Sequence, residues 1–460
     1  MTLSILGIFA SLIILMVLAY RGVSVIVLAP LTAMLATIFS GDFPAIVAYT
    51  EIFMKAMAGF IALYFPVFLV GAIFGHVMGV SGASTAIANF ISAKFGNDRA
   101  ILAVVCATAL LVYGGVSLFV VVFAIYPIGV SIYKKADVPK RLLPASIALG
   151  AFTFTMTALP GSPQYINTMP IPYFGTTIYA APLLGIISSV IMMTLGLLWL
   201  TRRAQKLNAA GEGYGVHDAD KEIQYNDNTK LPGFVLAIVP ILLIFILNFA
   251  LTNWYFIEFA ANYLPAMKAL GKSQINGIWP VVISLAVAIV ASFILFRAYI
   301  SSPKKQLEKG ALGSLLPIMN TASEVGYGGV IKALAAFSVL QAGIVSMDIS
   351  PIIKVAISTT LLAGVVGSSS GGTALALEAL GESFKTMALE HGISLEAFHR
   401  IAIMAAGGLD TLPHSGAVIT LLAVTGLSHR QSYKDIAMCT IAIPLFAVAI
   451  AIALAMSGIT

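Results

Sequence analysis

Two pairs of irregular segments interrupt otherwise apolar runs, and they hold most of the residues able to do chemistry. The first pair is Gly114-Gly115-Val116-Ser117 and Gly367-Ser368-Ser369-Ser370-Gly371-Gly372-Thr373. The second is Pro160-Gly161-Ser162-Pro163-Gln164-Tyr165-Ile166-Asn167-Thr168 and Asp410-Thr411-Leu412-Pro413-His414-Ser415-Gly416. At membrane depth, irregular backbone is tolerated only where protein encloses it or it lines a watery cavity. A helix broken there presents free N–H groups at the start of its second piece, an end that carries roughly half a positive charge. Such ends hold anions. The expected substrate-binding set is therefore Gly114, Gly115, Ser117, Ser162, Gln164, Asn167, Thr168, Ser368, Ser369, Ser370, Gly371, Gly372, Thr373, His414 and Ser415. No Lys or Arg occurs in the four segments, so a bound anion would meet only helix ends and neutral donors. That supply suits one carboxylate better than two or three, and a small hydroxy-monocarboxylate best.

Ionisable residues inside apolar runs are functional candidates. Asp410 follows Gly407-Gly408 and stands four residues before His414, a spacing at which a proton could be exchanged or a cation held. Thr411, Glu324 and Glu378 complete the expected cation-coupling set. His76 reads as a hydrogen-bonded helix residue, and Lys332, Lys354 and Lys385 as side chains reaching for an interface. Each polar break also has a plainer reading, since Gly and Ser on one helix face permit close packing. A phosphate-binding reading of the Gly-rich run fails, because no Gly-Lys-Ser/Thr follows it. Signatures of zinc peptidases, serine hydrolases and paired-Cys sites are missing, so neither an enzyme nor a metal centre is expected. No cofactor is expected beyond a coupling ion, H⁺ before Na⁺.

The elements that must position these residues are membrane helices. Of 460 residues, 59% are hydrophobic and 10% charged, with a mean hydropathy of +0.99; soluble chains carry about a quarter charged residues. The 25 basic residues outnumber the 19 acidic ones, but the bases fall in short loops between apolar runs, as in cytoplasmic loops, so no nucleic-acid partner is implied. Cys106 and Cys439 lie inside apolar runs and suggest no disulfide. The expected fold is an all-α polytopic membrane protein with discontinuous helices and re-entrant hairpins. Its candidate apolar segments are Leu3–Ala19, Val23–Ser40, Gly59–Gly79, Ile101–Tyr113, Leu118–Tyr133, Leu142–Leu159 and Thr177–Leu200, then Leu231–Leu251, Gly277–Ile300, Gly329–Val345, Ile349–Val366, Ala374–Leu389, Ala397–Leu409, Val418–Leu427 and Ile436–Met456. Several fall short of the ~20 residues a span requires. Met1–Tyr20 reads as a first span, not a cleaved signal.

Thr201–Lys230, with Glu212, Asp218, Asp220, Glu222 and Asp227, reads as a solvated cytoplasmic linker between two halves. A shift of 253 positions lays Leu159-Pro160-Gly161-Ser162 on Leu412-Pro413-His414-Ser415, and Val112, Gly114 and Ser117 on Val365, Gly367 and Ser370. The basic loop Lys134–Arg141 matches the acidic Glu390–Glu396, whereas Arg430 and Lys434 match the uncharged 173–177. Opposite charge bias at matching ends is what two inverted-topology repeats produce. The repeats run 1–200 and 231–460, with scaffold helices at 1–55 and 231–300 and transport elements at 56–200 and 313–460. Lys134–Arg141, Arg202–Lys206 and Lys304–Lys309 then share the cytoplasmic side, with both termini outside.

At PGSPQ (160–164), at GSSSGGTALALEAL from Gly367 and at GGLDTLPHSGAVITLLAVTG from Gly407, the chain resembles the gluconate permease family of bacterial secondary transporters, within the ion-transporter superfamily. It is most similar to members described as D-β-hydroxybutyrate permeases. Gluconate-type members have a His-containing, Pro-rich run where this chain has Leu159–Gln164, which favours a smaller substrate than gluconate. The resemblance implies uptake across the bacterial inner membrane driven by a cation gradient, usually protons, a homodimer, and elevator-like movement of a transport domain against a scaffold. The alternative within the class is a gluconate or other sugar-acid permease; the rivals from other classes are a passive anion channel using the same polar breaks as a filter and a cation/proton antiporter exchanging at Asp410.

Overall fold

The computed structural model describes residues 2–21, 23–96, 99–116, 118–217, 230–256, 258, 275–413 and 415–460. Among these residues the chain is helical and contains no strand. The first half comprises α1 (Thr2–Tyr20), α2 (Val25–Ser40), α3 (Ala45–Val80), α4 (Ala83–Phe95), α5 (Ala100–Tyr113), α6 (Leu118–Lys135), α7 (Leu143–Ala151), a short α8 (Ile171–Phe174) and α9 (Pro182–Ala209). The second half comprises α10 (Phe234–Tyr255), α11 (Ile275–Leu295), α12 (Pro303–Leu312), α13 (Leu315–Ala333), α14 (Ala335–Ser346), α15 (Pro351–Val366), α16 (Ser369–Glu390), α17 (Leu395–Ala406), α18 (Gly416–Thr425) and α19 (His429–Met456).

Among the described residues, five helices are long and apolar enough to cross a bilayer: α3, α9, α10, Ile278–Leu295 of α11, and α19. Large aliphatic side chains stand exposed on several helices, such as Leu31 and Ile38 on α2, Val235 and Ile246 on α10, and Val290 and Ile294 on α11. Apolar faces of that extent belong against lipid. Of the shorter apolar helices, α5, α15 and α18 are the broken pieces that the sequence anticipates. In each half, two helices meet at a glycine break (α5 and α6, α15 and α16), followed by a short helix (α7, α17), an irregular stretch, a second short helix (α8, α18) and a long span (α9, α19). The chain is an all-α polytopic membrane protein.

Four features depart from the sequence reading. The boundary at 55/56 lies inside the continuous helix α3, because Glu51 and Lys55 form an exposed pair one turn apart, at 2.7 Å, which supports a helix instead of ending it. The segment Gly329–Val345 is not one span. The chain turns by 81° between α13 and α14 at an extended Leu334, and the carboxylate of Asp42 accepts the N–H of Ala335 at 2.9 Å, capping α14 from far away in sequence. The linker is docked at its start. Its first nine residues extend α9, the Tyr214 N–H donates to Asp137 Oδ1 (2.8 Å) and Arg141 pairs with Glu212 at 3.4 Å. The acids Asp218, Asp220, Glu222 and Asp227 lie outside the described residues. Lys354 is buried and does not reach an interface. His76, as expected, bonds through Nε2 to Gln306 at 3.0 Å.

Candidate functional site

Gly367 ends α15 in the left-handed region (φ +70) and returns its N–H to the Ala363 carbonyl at 2.8 Å, a closure that favours glycine. Ser368 is extended and begins α16, its Oγ accepting the Gly371 N–H at 3.2 Å, a regular N-cap. The two arms then cross so closely that a Cβ on Gly372 would stand 2.2 Å from the Ala363 Cα. Gly372 is thus a packing glycine. Gly371 has a different role, since a Cβ there would fall 1.9 Å from Oε2 of Glu324. The Glu324 carboxylate occupies the space that a side chain at 371 would need.

Glu324 belongs to a face of α13 formed by Pro317, Asn320, Thr321 and Glu324, at the spacing that keeps residues on one side of a helix. Opposite it lies the break between α17 and α18. There Thr411 bonds to Thr440 (2.7 Å) and the Tyr433 hydroxyl donates to the Thr411 carbonyl (3.1 Å), so α19 fixes the bend. Asp410 and Ser369 line the same cavity, and Ser415 precedes α18.

These pieces enclose a cavity of about 260 Å³ lined by Asn320, Thr321, Glu324, Gly367–Ser370, Asp410, Thr411 and Ser415–Ala417 on one side. Val25, Leu118, Phe152, Met156, Leu316 and Val366 give it an apolar wall, and Tyr165 completes the lining. Two helix N-termini, those of α16 and α18, reach the cavity, and no Lys or Arg among the described residues does. Together those ends offset about one negative charge. Three buried acceptor oxygens of its wall, Asn320 Oδ1, Glu324 Oε2 and Asp410 Oδ1, have no hydrogen-bond partner among the described residues, which is costly unless a ligand or proton supplies one. The arrangement can bind an anion at the helix ends and take up protons or donor groups beside it.

Of the expected site residues, Ser368, Ser369, Ser370, Glu324, Asp410, Thr411 and Ser415 come together here, with Gly371 shaping the wall. The first-half break folds mainly on itself. Gly115 has φ +91 in a helix-ending turn, and Gly114 packs on Ile241. Gln164 Nε2 donates to the carbonyls of Val112 (2.7 Å) and Val116 (3.2 Å), Asn167 Nδ2 donates to Ser162 O (3.1 Å), and Thr168 Oγ1 donates to Tyr165 O (2.6 Å). Gly115 and Gln164 border a second cavity of about 70 Å³, which shares Leu118, Met156, Tyr165 and Pro317 with the first. Ser162 and Thr373 are buried but line neither cavity. Glu378 lies apart from both, bonded by the Tyr173 hydroxyl (3.3 Å) and 3.9 Å from Lys332. Ser117 and His414 lie outside the described residues.

The sequence reading passes over Tyr165, Asn320, Thr321 and Arg400. Asn320 and Thr321 could have been found from their spacing to Glu324, and Arg400 from its charge within an apolar run. Arg400 is fully buried, donating to Ala180 O (2.9 Å), Ile178 O (3.0 Å) and Asn167 Oδ1 (3.0 Å). It ties α17 of the second half to the irregular segment of the first.

A cavity with unpartnered polar groups on one side, set between broken membrane helices, is the architecture of a transporter site. The sequence profile of GntP family permeases matches residues 1–457. The chain belongs to the GntP permease family. As a GntP family permease it is a transporter, not an enzyme. It is 45% identical over 441 residues, 93% of each chain, to a Bacillus subtilis protein named "Uncharacterized transporter YxjC". It is also 24% identical over 372 residues to an "Uncharacterized transporter" of Haemophilus influenzae, covering 80% of this chain and 78% of that one. The permease shares its fold with the YdaH transporter of Alcanivorax borkumensis, whose crystal structure is described as having an unusual topology. The TM-score is 0.55 with 15% sequence identity, over 88% of this chain and 87% of that one.

Proposed function

We propose that this permease imports a small hydroxy-monocarboxylate, of the size and polarity of 3-hydroxybutyrate, by symport with protons. The observation that carries the reading is the joint lining of one cavity by two helix N-termini and by Glu324 and Asp410, each with an unpartnered oxygen. A carboxylate attracted to those ends adds a negative charge beside two acids with no basic side chain among the described residues of the lining, and like charges disfavour one another. Protons taken up with the substrate relieve that repulsion, which links the two movements. The apolar wall from Val25 to Met156 suits a short hydrocarbon end better than a polyhydroxy chain.

In this reading the protein works as a homodimer in the bacterial inner membrane, with its linker cytoplasmic and both termini outside. The two repeats are inverted, and the site moves between faces as a transport domain slides along a scaffold that includes α1, α2, α10 and α11. Packing of α1 on α2 and of α10 on α11 supports that grouping. Purified protein in proteoliposomes, given labelled 3-hydroxybutyrate and an inward pH gradient, should accumulate it above equilibrium, and collapse of the gradient should abolish accumulation. Equilibration alone would mark a channel, and cation-dependent proton flux without a carboxylate would mark an antiporter.

A further inference from the structure

We propose that Tyr165 reads the substrate's hydroxyl group, setting the preference for a hydroxy acid over the corresponding plain fatty acid; this rests on the carboxylate reading above. Tyr165 is the one polar side chain that the first half contributes to the lining of the larger cavity among the described residues. The acids and helix ends that face it come from the second half, so a ligand whose carboxylate rests there extends toward Tyr165 and the apolar wall.

The hydrogen bonding favours this role. The Gly371 N–H donates to Ser368 Oγ (3.2 Å) and Ser368 Oγ lies 3.1 Å from Ser370 Oγ, and these serines line the same cavity as Tyr165. Neither of these bonds uses the Tyr165 phenolic proton. A phenol can accept one bond and donate another, so the Tyr165 proton is available to a ligand hydroxyl. The ring is also held in place: it stacks on Phe68 with centroids 4.2 Å apart. The turn that carries it is closed by Thr168 and anchored by the Tyr64 hydroxyl on Met169 O (2.9 Å) and by the Arg400–Asn167 bond (3.0 Å). Donors fixed by their surroundings discriminate, because an analogue lacking the hydroxyl leaves them unpaired.

The test is the Tyr165→Phe variant, which keeps the ring and removes one oxygen. In proteoliposomes, the KM for D-3-hydroxybutyrate uptake and the competition by butyrate are measured for wild type and variant. Wild type should prefer the hydroxy acid by about tenfold, the usual weight of one well-made hydrogen bond. The variant should lose that preference through a weaker KM for 3-hydroxybutyrate, with butyrate competing at least as well as in wild type, so butyrate serves as the control for an intact site. A preserved preference, or equal weakening toward both acids, overturns the assignment and reduces Tyr165 to a packing residue. Wild type that accumulates no 3-hydroxybutyrate at all overturns the substrate reading itself, and this assignment with it.

Discussion

Replacing Gly371 with alanine isolates the geometry of the site from its chemistry. The added Cβ would stand 1.9 Å from Oε2 of Glu324 and 2.5 Å from its Cδ. Contacts between carbon atoms become comfortable near ~3.5 Å, so the carboxylate must retreat by roughly 1.5 Å, about the length of one C–C bond. Glu324 is 4% exposed and α13 is packed against α2, α3 and α16, so the retreat takes the carboxylate out of its place in the cavity wall. The fold should tolerate the change. Alanine gains up to ~1 kcal/mol over glycine in a helix, against an overpacking cost of about 1–3 kcal/mol. Function should not tolerate it, since a misplacement of about 1 Å can cost about 100-fold in rate. Shortening the acid in the Gly371→Ala/Glu324→Asp double variant withdraws the carboxylate by about one bond length and should recover at least about tenfold of the loss. The assay is the initial rate of carboxylate uptake into proteoliposomes, normalised to inserted protein, with thermal unfolding in micelles alongside. Gly371→Ala transporting at the wild-type rate would refute the reasoning. So would a double variant no better than the single one, provided that Glu324→Asp alone is active.

Three further changes probe separate parts of the molecule. Asp410→Asn keeps the shape at the bend but cannot carry a proton, so uptake should become insensitive to an imposed pH gradient; an unchanged gradient dependence would remove Asp410 from coupling. Arg400→Met strands the Ala180 carbonyl and the amide oxygen of Asn167 in a dry interior and leaves the Ile178 carbonyl only the Gly161 N–H, and should cost about 3 kcal/mol or more, read as a lowered Tm; a wild-type Tm contradicts the bracing role. Asp42→Ala removes the cap on α14 and should cost about 0.5–1 kcal/mol. The Ser40 hydroxyl and then the Ala335 N–H hold the Asp42 carboxyl below the ordinary carboxylate range. Its contribution is therefore present at neutral pH and is lost as the pH falls through that lowered value, so wild type and variant should converge in acid, and a gap that persists there argues against the cap.

The helix breaks were legible because they depend on local rules. Gly367 supplies a left-handed turn, Ser368 a cap, and Asp410 a charge where lipid would forbid one, and all three can be read from neighbouring residues. What escaped depends on contacts across the chain. Tyr165 looks like any loop aromatic until Phe68 and Ser370 are seen beside it. Gln164 and Asn167 look like ligand donors until the carbonyls of Val112, Val116 and Ser162 are seen to occupy them. The turn at Leu334 has no Pro or Gly at the bend itself, and its cap is an aspartate in the loop after α2. The start of the linker reads as solvated because its partner, the loop at Asp137 and Arg141, lies more than seventy positions earlier.

The crossing of α15 and α16 at Ala363 and Gly372 has a mechanical consequence. Two rods seized together at a point where only a hydrogen atom fits cannot splay there, so the serine tip beyond the crossing behaves as the short end of a lever. Whatever displaces that tip must carry both rods with it at the crossing, and labels placed on them there would keep a constant spacing.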